Sequence, residues 1–234
     1  MTEKSLKSYT EVFFEALAPG SRQSASIVVP LVNEIVRPRS VLDVGCGVGT
    51  WLAEWMSNGV SDVVGIDGAY VDETAMQIAS SGFVPADLRE PFSLGRRFDL
   101  AQSLEVAEHL DERYADTFVH CVTAHADVVM FSAAIPGQGG THHVNEQWPS
   151  YWVEKFAKAG LQLFDVIRPA IWGDDRVDWW YRQNILLFAK SLAVDVRETC
   201  LDIVHPAYLK TNPRRRDPVW QRFAASRLAG KAGQ

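Results

Sequence analysis

The chain has 234 residues, 47% hydrophobic and 22% charged, a globular composition that suits one large domain or a domain with an appendage. No window approaches the roughly 20 apolar residues of a membrane span. The opening MTEKSLKSYTEVFF lacks the apolar core and small-residue cleavage site of a secretory signal. The net charge of −6 is uneven: residues 201–234 carry seven Lys/Arg against two Asp/Glu, a net +5, which leaves −11 on residues 1–200. An acidic body argues against general nucleic-acid binding, which needs a basic stripe to neutralise phosphates. The basic run NPRRRDPVW (212–220) reads as a solvated face or linker, or as a contact for an anionic surface. Cys46, Cys121 and Cys200 are far apart and form no C-x-x-C pair, which fits small hydrophobes in a reducing cytoplasm.

In chain order, SLKSYTEVFFEAL and SRQSASIVVPLVNEIV have helical spacing and form an N-terminal helical lid over residues 1–37, with Tyr9 and Phe13 near the site it closes. RPRSVLDV is a strand, VGTWLAEWMSNG a helix stopped by Gly59, SDVVGID a buried strand and AYVDETAMQIASSG a further helix. GFVPADL and RRFDLAQSLE read as strands, DERYADTFVHCVTAHA as a helix and DVVMFSAAIPG as a strand. WPSYWVEKFAKAG is a helix ended by Gly160, and LQLFDVIR and QNILLFAK complete seven strands. β-Branched runs alternating with amphipathic helices predict a doubly wound α/β domain over residues 38–190. Its sheet is mostly parallel and seven-stranded, with helices on both faces. Residues 191–234 form a basic C-terminal extension.

Ligands of such sheets bind beyond the carboxyl ends of the strands, at the switch in strand order. The first strand runs into DVGCGVG, where Gly45, Gly47 and Gly49 let the backbone turn sharply and approach a ligand. The amides at the start of the next helix favour an anionic group there. The spacing is G-x-G-x-G, tighter than the dinucleotide pattern. Asp67 ends the second strand, where a carboxylate can accept both hydroxyls of a ribose. Asp87 follows the third, where it can accept an exocyclic amino hydrogen.

VLDVGCGVGTWL, VVGIDG, ADL and FDLAQSLEVAEHL, in that order, resemble the motifs of class I S-adenosylmethionine-dependent methyltransferases over most of residues 10–190. The resemblance implies their Rossmann-like fold and S-adenosylmethionine as cofactor. Gly45, Gly47 and Gly49 would lie against its methionine part and Asp43 would orient its amino group. Asp67 would hold the ribose, and Asp87 with Leu88 the adenine. Cys46 fills a small position in the loop.

The fourth strand ends in SLEVAEHL. On a following helical turn Glu105, Glu108 and His109 would share one face, being three and four apart. Three readings stand. They are acids at a helix start with His109 packed beside them; or His109 or a glutamate is a general base or substrate anchor; or Glu105, Glu108, His109 and a loop histidine bind a divalent metal. The E-x-x-E-H spacing resembles that of small-RNA 2′-O-methyltransferases, which implies the metal, whereas many small-molecule methyltransferases have similar stretches without one. The loop GGTHHVNEQW (139–148) leaves the fifth strand at the same edge, so His142 and His143, with Asn145 and Glu146, are expected to reach the substrate from the side opposite the cofactor. His143 is the leading base or ligand and His142 the second choice, since neutral imidazole takes a proton near pH 7. The loop also resembles one found in bacterial methyltransferases of glycan and natural-product pathways. Trp148, Tyr151, Trp152, Trp172, Trp179, Trp180 and Tyr181 divide between core and an aromatic wall. Arg168, Arg176 and Arg182 are expected to anchor an acidic substrate.

Overall fold

The computed structural model describes residues 11–195 and 199–211. Tyr9, the side chain of Phe13 and the basic run 212–220 lie outside the described residues. The two N-terminal helical stretches join into one helix, α1 (Glu11–Val36). Its Ala25, Val28, Val29 and Val32, at i, i+3, i+4 and i+7, are fully buried. This part of α1 is therefore a wall of the core, and Ser21 borders the ligand cavity.

The sheet contains β1 (Ser40–Val44), β2 (Asp62–Asp67), β3 (Phe83–Pro85), β4 (Leu100–Leu104), β5 (Val128–Ser132), β6 (Gln162–Phe164) and β7 (Leu186–Ala189). The order is β3-β2-β1-β4-β5-β7-β6. All neighbours pair in parallel except β7, which is antiparallel to both β5 and β6. Strand order reverses between β1 and β4, so the crevice for a ligand opens at their carboxyl ends.

Alternation along the strands builds one core on each face. Val41, Leu100, Met130 and Leu187 pack with α1, with Leu52 and Trp55 of α2 (Thr50–Ser57), and with Ile167 and Ile171 of α5 (Ile167–Ile171). Leu42, Ala101, Val129, Phe131 and Phe188 point the other way. They meet Phe118 and Val122 of α3 (Ala115–His125) and Trp152 and Phe156 of α4 (Pro149–Lys158). Truncating a fully buried residue such as Leu42 to alanine costs about 2–5 kcal/mol. Gly59 and Gly160 lie just past α2 and α4 with φ of +91° and +84°, a left-handed conformation that glycine adopts without strain.

One expected helix is missing. Residues 69–82 form only 3₁₀ turns at Glu73–Ala75 and Ser80–Gly82. The Asp72 carboxylate accepts from the amide and hydroxyl of Thr74 at 2.8 and 2.7 Å, a local bond that competes with a helix. The Gln77 amide donates to the Val48 carbonyl at 2.8 Å, and its side chain donates to Thr50 Oγ1 at 2.9 Å. The segment is stretched across the glycine loop, and those contacts replace the helical ladder.

Residues 201–208 fold back on the domain. Leu201 O accepts from Arg168, and Ile203 O accepts from Gln183. The Tyr208 hydroxyl of α7 (Pro206–Thr211) donates to Pro136 O at 3.0 Å.

Candidate active site

Gly45, Gly47 and Gly49 take φ of +86°, +51° and +80°, a region costing other residues about 1–2 kcal/mol each. A Cβ on Gly45 would sit 2.4 Å from Val106 Cγ2, so this backbone leaves no room for a side chain. The loop is tied to the second strand. Gly47 N donates to Asp67 Oδ2 at 2.7 Å, while Gly68 N and the Tyr70 hydroxyl donate to Oδ1 at 2.6 Å each. Burial raises the Asp67 carboxyl, opposed by those three donors. Burial pushes the Asp43 carboxyl up to about 7, opposed by Gln102 and reinforced by the charge of Asp67.

Beyond β3, Leu88 is buried. The Asp87 carboxylate forms a fork-to-fork pair with Arg89, which holds it below the usual carboxylate range. All these groups except Asp43, Gly49 and Gln102 line one cavity of about 1310 Å³ that runs on past Glu105, Glu108, His109, His142 and His143 to Trp179, Trp180 and Tyr181. A single small-molecule site occupies roughly 300–1,000 Å³, so this one has space for two molecules.

Residue Glu105 follows β4 with φ +55°. Its carboxylate accepts from Gln138 Nε2 at 2.8 Å and from Asn184 Nδ2 at 3.0 Å. The turn after it is 3₁₀ over Ala107–His109, and Glu105 is turned toward Gln138 and Asn184 instead of sharing a face with its neighbours. Glu108 is fully buried. Its carbonyl accepts from Val144 N and Asn145 N at 2.8 and 3.0 Å, which fastens the histidine loop to the turn. Neither of its carboxylate oxygens makes a hydrogen bond of proper geometry. Burial, then the charge of Glu105, pushes this carboxyl well above its ordinary range; the nearby amides of Glu108 and Ala134 oppose the shift.

The rings of His109 and His143 meet edge to face, with centroids 4.8 Å apart. Burial, then the neighbouring His143, lowers His109 to about 4. His143 Nδ1 lies 3.0 Å from Glu146 Oε1. Glu146 also accepts from Gly137 N at 2.6 Å and Gly139 N at 2.7 Å. Ligand-capable atoms of Glu108, His109 and His143 all lie within 4.8 Å of one another, and Glu105 is outside that group. His142 is exposed at the cavity wall with φ +59°. Asn145 and Glu146 hold the loop and do not reach into the cavity; Asn145 is buried and accepts from Gln147 at 3.0 Å.

The expected arginine anchors are engaged elsewhere. Arg168 pairs with Asp165 in the core, Arg176 with Asp174 and Arg182 with Asp175, and none lines the cavity. Of the aromatic residues, Trp179, Trp180 and Tyr181 line it. Trp152 is core, and Trp172 packs on His205 with centroids 4.6 Å apart. Gln138 and Asn184 were not anticipated. The signal for Asn184 was its place just before β7: that strand runs antiparallel, so its leading residue arrives at the edge where the parallel strands end.

The family profile described as a methyltransferase domain matches residues 17–166, more than half of the chain. No curated protein sequence matches the chain significantly. Among solved structures, the sugar N-methyltransferase KedS8 from Streptoalloteichus sp. ATCC 53650 is 17% identical, with TM-score 0.60 over 77% of this chain and 92% of that one. CalS10, an amino pentose methyltransferase from Micromonospora echinaspora, is 16% identical, with TM-score 0.57 over 78% and 98%. The methyltransferase domain of a bacterial Hen1 protein is 20% identical, with TM-score 0.53 over 71% and 98%. With a glycine cradle between β1 and β2 and the sheet order described, the chain belongs to the methyltransferase-domain family and has the class I fold of S-adenosylmethionine-dependent methyltransferases.

Proposed function

We propose that the protein transfers the methyl group of S-adenosylmethionine to an oxygen or nitrogen of a small polar molecule, a sugar or a natural-product intermediate, by direct in-line displacement. The observation that carries this reading is the single cavity joining the Asp67 cradle to Glu108, His109 and His143. Its cofactor half fits the group. Gly45 has no room for a side chain, and Asp67 already accepts a hydroxyl, that of Tyr70, where a ribose would offer its own. Bound there, S-adenosylmethionine supplies a methyl carbon already activated by a sulfonium.

The chain therefore supplies alignment and excludes water. Gly45 and Gly47 meet the amino-acid end, which Asp43 orients from behind the cavity wall, and Asp67 holds the ribose. Leu88 and Asp87 border the base, with Asp87 keeping its carboxylate on Arg89. His143 accepts a proton at Nε2, because Nδ1 is bonded to Glu146. His142 is the alternative base at the cavity wall, while His109, Glu105 and Glu108 anchor the acceptor. No helix among the described residues is long and apolar enough to cross a membrane, and the isolated cysteines suit work in the cytoplasm.

The test is calorimetry with S-adenosylhomocysteine on wild type and His143→Ala, followed by turnover once an acceptor is found. Unchanged affinity with turnover lowered at least tenfold supports the roles given; full activity of the variant removes His143. A protein that binds S-adenosylmethionine and never yields S-adenosylhomocysteine with any acceptor would be an idle binding module.

A second reading has a divalent ion among Glu108, His109 and His143, favoured by the two unpartnered Glu108 oxygens. Such an ion would make an acceptor hydroxyl easier to deprotonate, as in 2′-O-methylation of RNA. Metal analysis of the purified protein, with melting in Mn²⁺ and in EDTA, checks it; a melting temperature indifferent to both removes it.

A further inference from the structure

The acceptor half of the cavity has a one-sided charge inventory. Among the described residues, the only Lys or Arg side chains lining the cavity are Arg89 and Arg113. Arg89 is paired with Asp87; Arg113 faces Asp111 and lies over the Tyr114 ring, with its guanidinium carbon 4.8 Å from the ring centroid. The half that begins at Glu105 contains the carboxyl groups of Glu105 and Glu108, the imidazoles of His109, His142 and His143, and the Trp179 and Trp180 rings, which meet edge to face at 5.9 Å. Arg168, Arg176 and Arg182, the cations nearest in sequence, are committed to Asp165, Asp174 and Asp175.

Beside Glu105, among the described residues, three buried acceptor atoms have no hydrogen-bond donor of proper geometry. Glu108, with no exposed surface, has both carboxylate oxygens unpaired, and the buried Asn184 has its Oδ1 unpaired beside Glu105. Each is an acceptor, and an unpaired buried acceptor costs about 1–3 kcal/mol. The missing group is therefore a donor. The left-handed backbone of Glu105 turns its carboxylate onto Gln138 and Asn184; such conformations persist where the surroundings over-determine them, often at ligand sites. Carboxylates and aromatic faces both attract a positive charge. Among the described residues, a phosphorylated or carboxylated acceptor would find two acids here and, as cavity-lining cations, only Arg89 and Arg113, each facing an aspartate.

We infer that the methyl acceptor carries a primary or secondary amine, received by Glu105, Glu108 and the faces of Trp179 and Trp180, and that its nitrogen takes the methyl group. This rests on the methyltransferase reading above. An acceptor bound as its ammonium first gives one proton to His143 Nε2, which passes it to solvent; the lone pair of the amine so freed forms the N–C bond as the C–S bond breaks, its electron pair staying with sulfur. Positive charge moves from sulfur to nitrogen, and the methylated ammonium later gives a proton to solvent. The two carboxylates stand where that charge arrives, so they favour the product of the step over a neutral reactant.

The experiment uses the full chain saturated with S-adenosylhomocysteine, titrated by calorimetry with glucosamine, glucose and glucose 6-phosphate, first in EDTA and then in Mg²⁺. Binding of glucosamine at least tenfold tighter than glucose in EDTA, with the phosphate weakest, is the expected result. Glu105→Gln and, separately, Glu108→Gln should erase that preference while S-adenosylhomocysteine still binds, which also shows that each variant is folded. Turnover of an amino sugar should add a methyl group to nitrogen by mass spectrometry. Equal binding of the three sugars, no detectable binding of any, preference for the phosphate, or a preference for hydroxyls that needs Mg²⁺ overturns the inference. Failure to bind S-adenosylhomocysteine at all would instead sink the parent reading.

Discussion

Glu146 decides which nitrogen of His143 faces the cavity, and Glu146→Gln tests this. An ionised carboxylate can only accept, so at 3.0 Å the imidazole must donate from Nδ1, leaving the Nε2 lone pair free. The same carboxylate spreads its two oxygens over Gly137 N and Gly139 N. Glutamine offers one oxygen and an NH₂ group, so it cannot serve both loop amides and His143 at once. A hydrogen bond to a charged group contributes about 1.5–3 kcal/mol. The side chains of His143 and Glu146 are 12% and 19% exposed, and solvent reduces the bias to about 1–1.5 kcal/mol, close to tenfold in the tautomer ratio. ¹⁵N-resolved imidazole NMR reads this directly: the wild type should be mainly Nδ1–H, and Glu146→Gln should shift the population toward Nε2–H by about that factor. A merely structural loop residue would leave the ratio unmoved. A wild-type His143 found mainly as Nε2–H refutes the argument and with it the assignment of Nε2 as proton acceptor.

Other substitutions probe the cradle and the core. Asp43, with its carboxyl raised to about 7, lends stability that is full below the unfolded value near 4 and is lost as pH rises through 7. Asp43→Asn should therefore melt several degrees above wild type at pH 8, less so at pH 5, and bind S-adenosylhomocysteine more weakly; equal melting at both pH values would contradict the burial argument. Gly45→Ala places a Cβ 2.4 Å from Val106 Cγ2 at φ +86°, and calorimetry should show nucleoside affinity down at least tenfold. Unchanged affinity would mean that the loop does not hold the cofactor. Arg168→Ala leaves the buried Asp165 without its partner and should cost about 3–5 kcal/mol in urea unfolding. Combining Asp165→Leu with Arg168→Met should recover most of that loss, and a purely catalytic defect at normal stability would restore Arg168 as a substrate anchor.

The cofactor half was legible because each part is local. A strand, its glycine turn and the next helix are adjacent in sequence, and the acids Asp67 and Asp87 come at or just after the ends of their own strands. The helix expected over 69–82 failed because tertiary bonds from Gln77 and the local bonds of Asp72 outweighed a helical pattern that no single residue contradicts. The arginines failed for a related reason. Sequence shows that Arg168 carries a charge, whereas only the fold shows Asp165 beside it, both 2% exposed.

Asn184 was hidden by one reversal of direction. A parallel strand delivers to the ligand edge the residues at its exit, which is how Glu105 and the histidine loop are found. The antiparallel β7 delivers the residues at its entry. Trp179, Trp180 and Asn184 belong to α6 (Trp179–Asn184), the helix that enters β7, and so reach the same edge as residues that leave β4 and β5. Reading the residues before an antiparallel strand together with those after the parallel ones would have placed Asn184 opposite Glu105. The cavity then acquires its character from this junction: donors of α6 and the β5 exit orient Glu105, while among the described residues no donor makes a hydrogen bond of proper geometry to the carboxyl of Glu108. An oriented acid next to an unsatisfied one is an arrangement that a bound cation completes, which is why the charge of the acceptor is the property of this site most worth measuring.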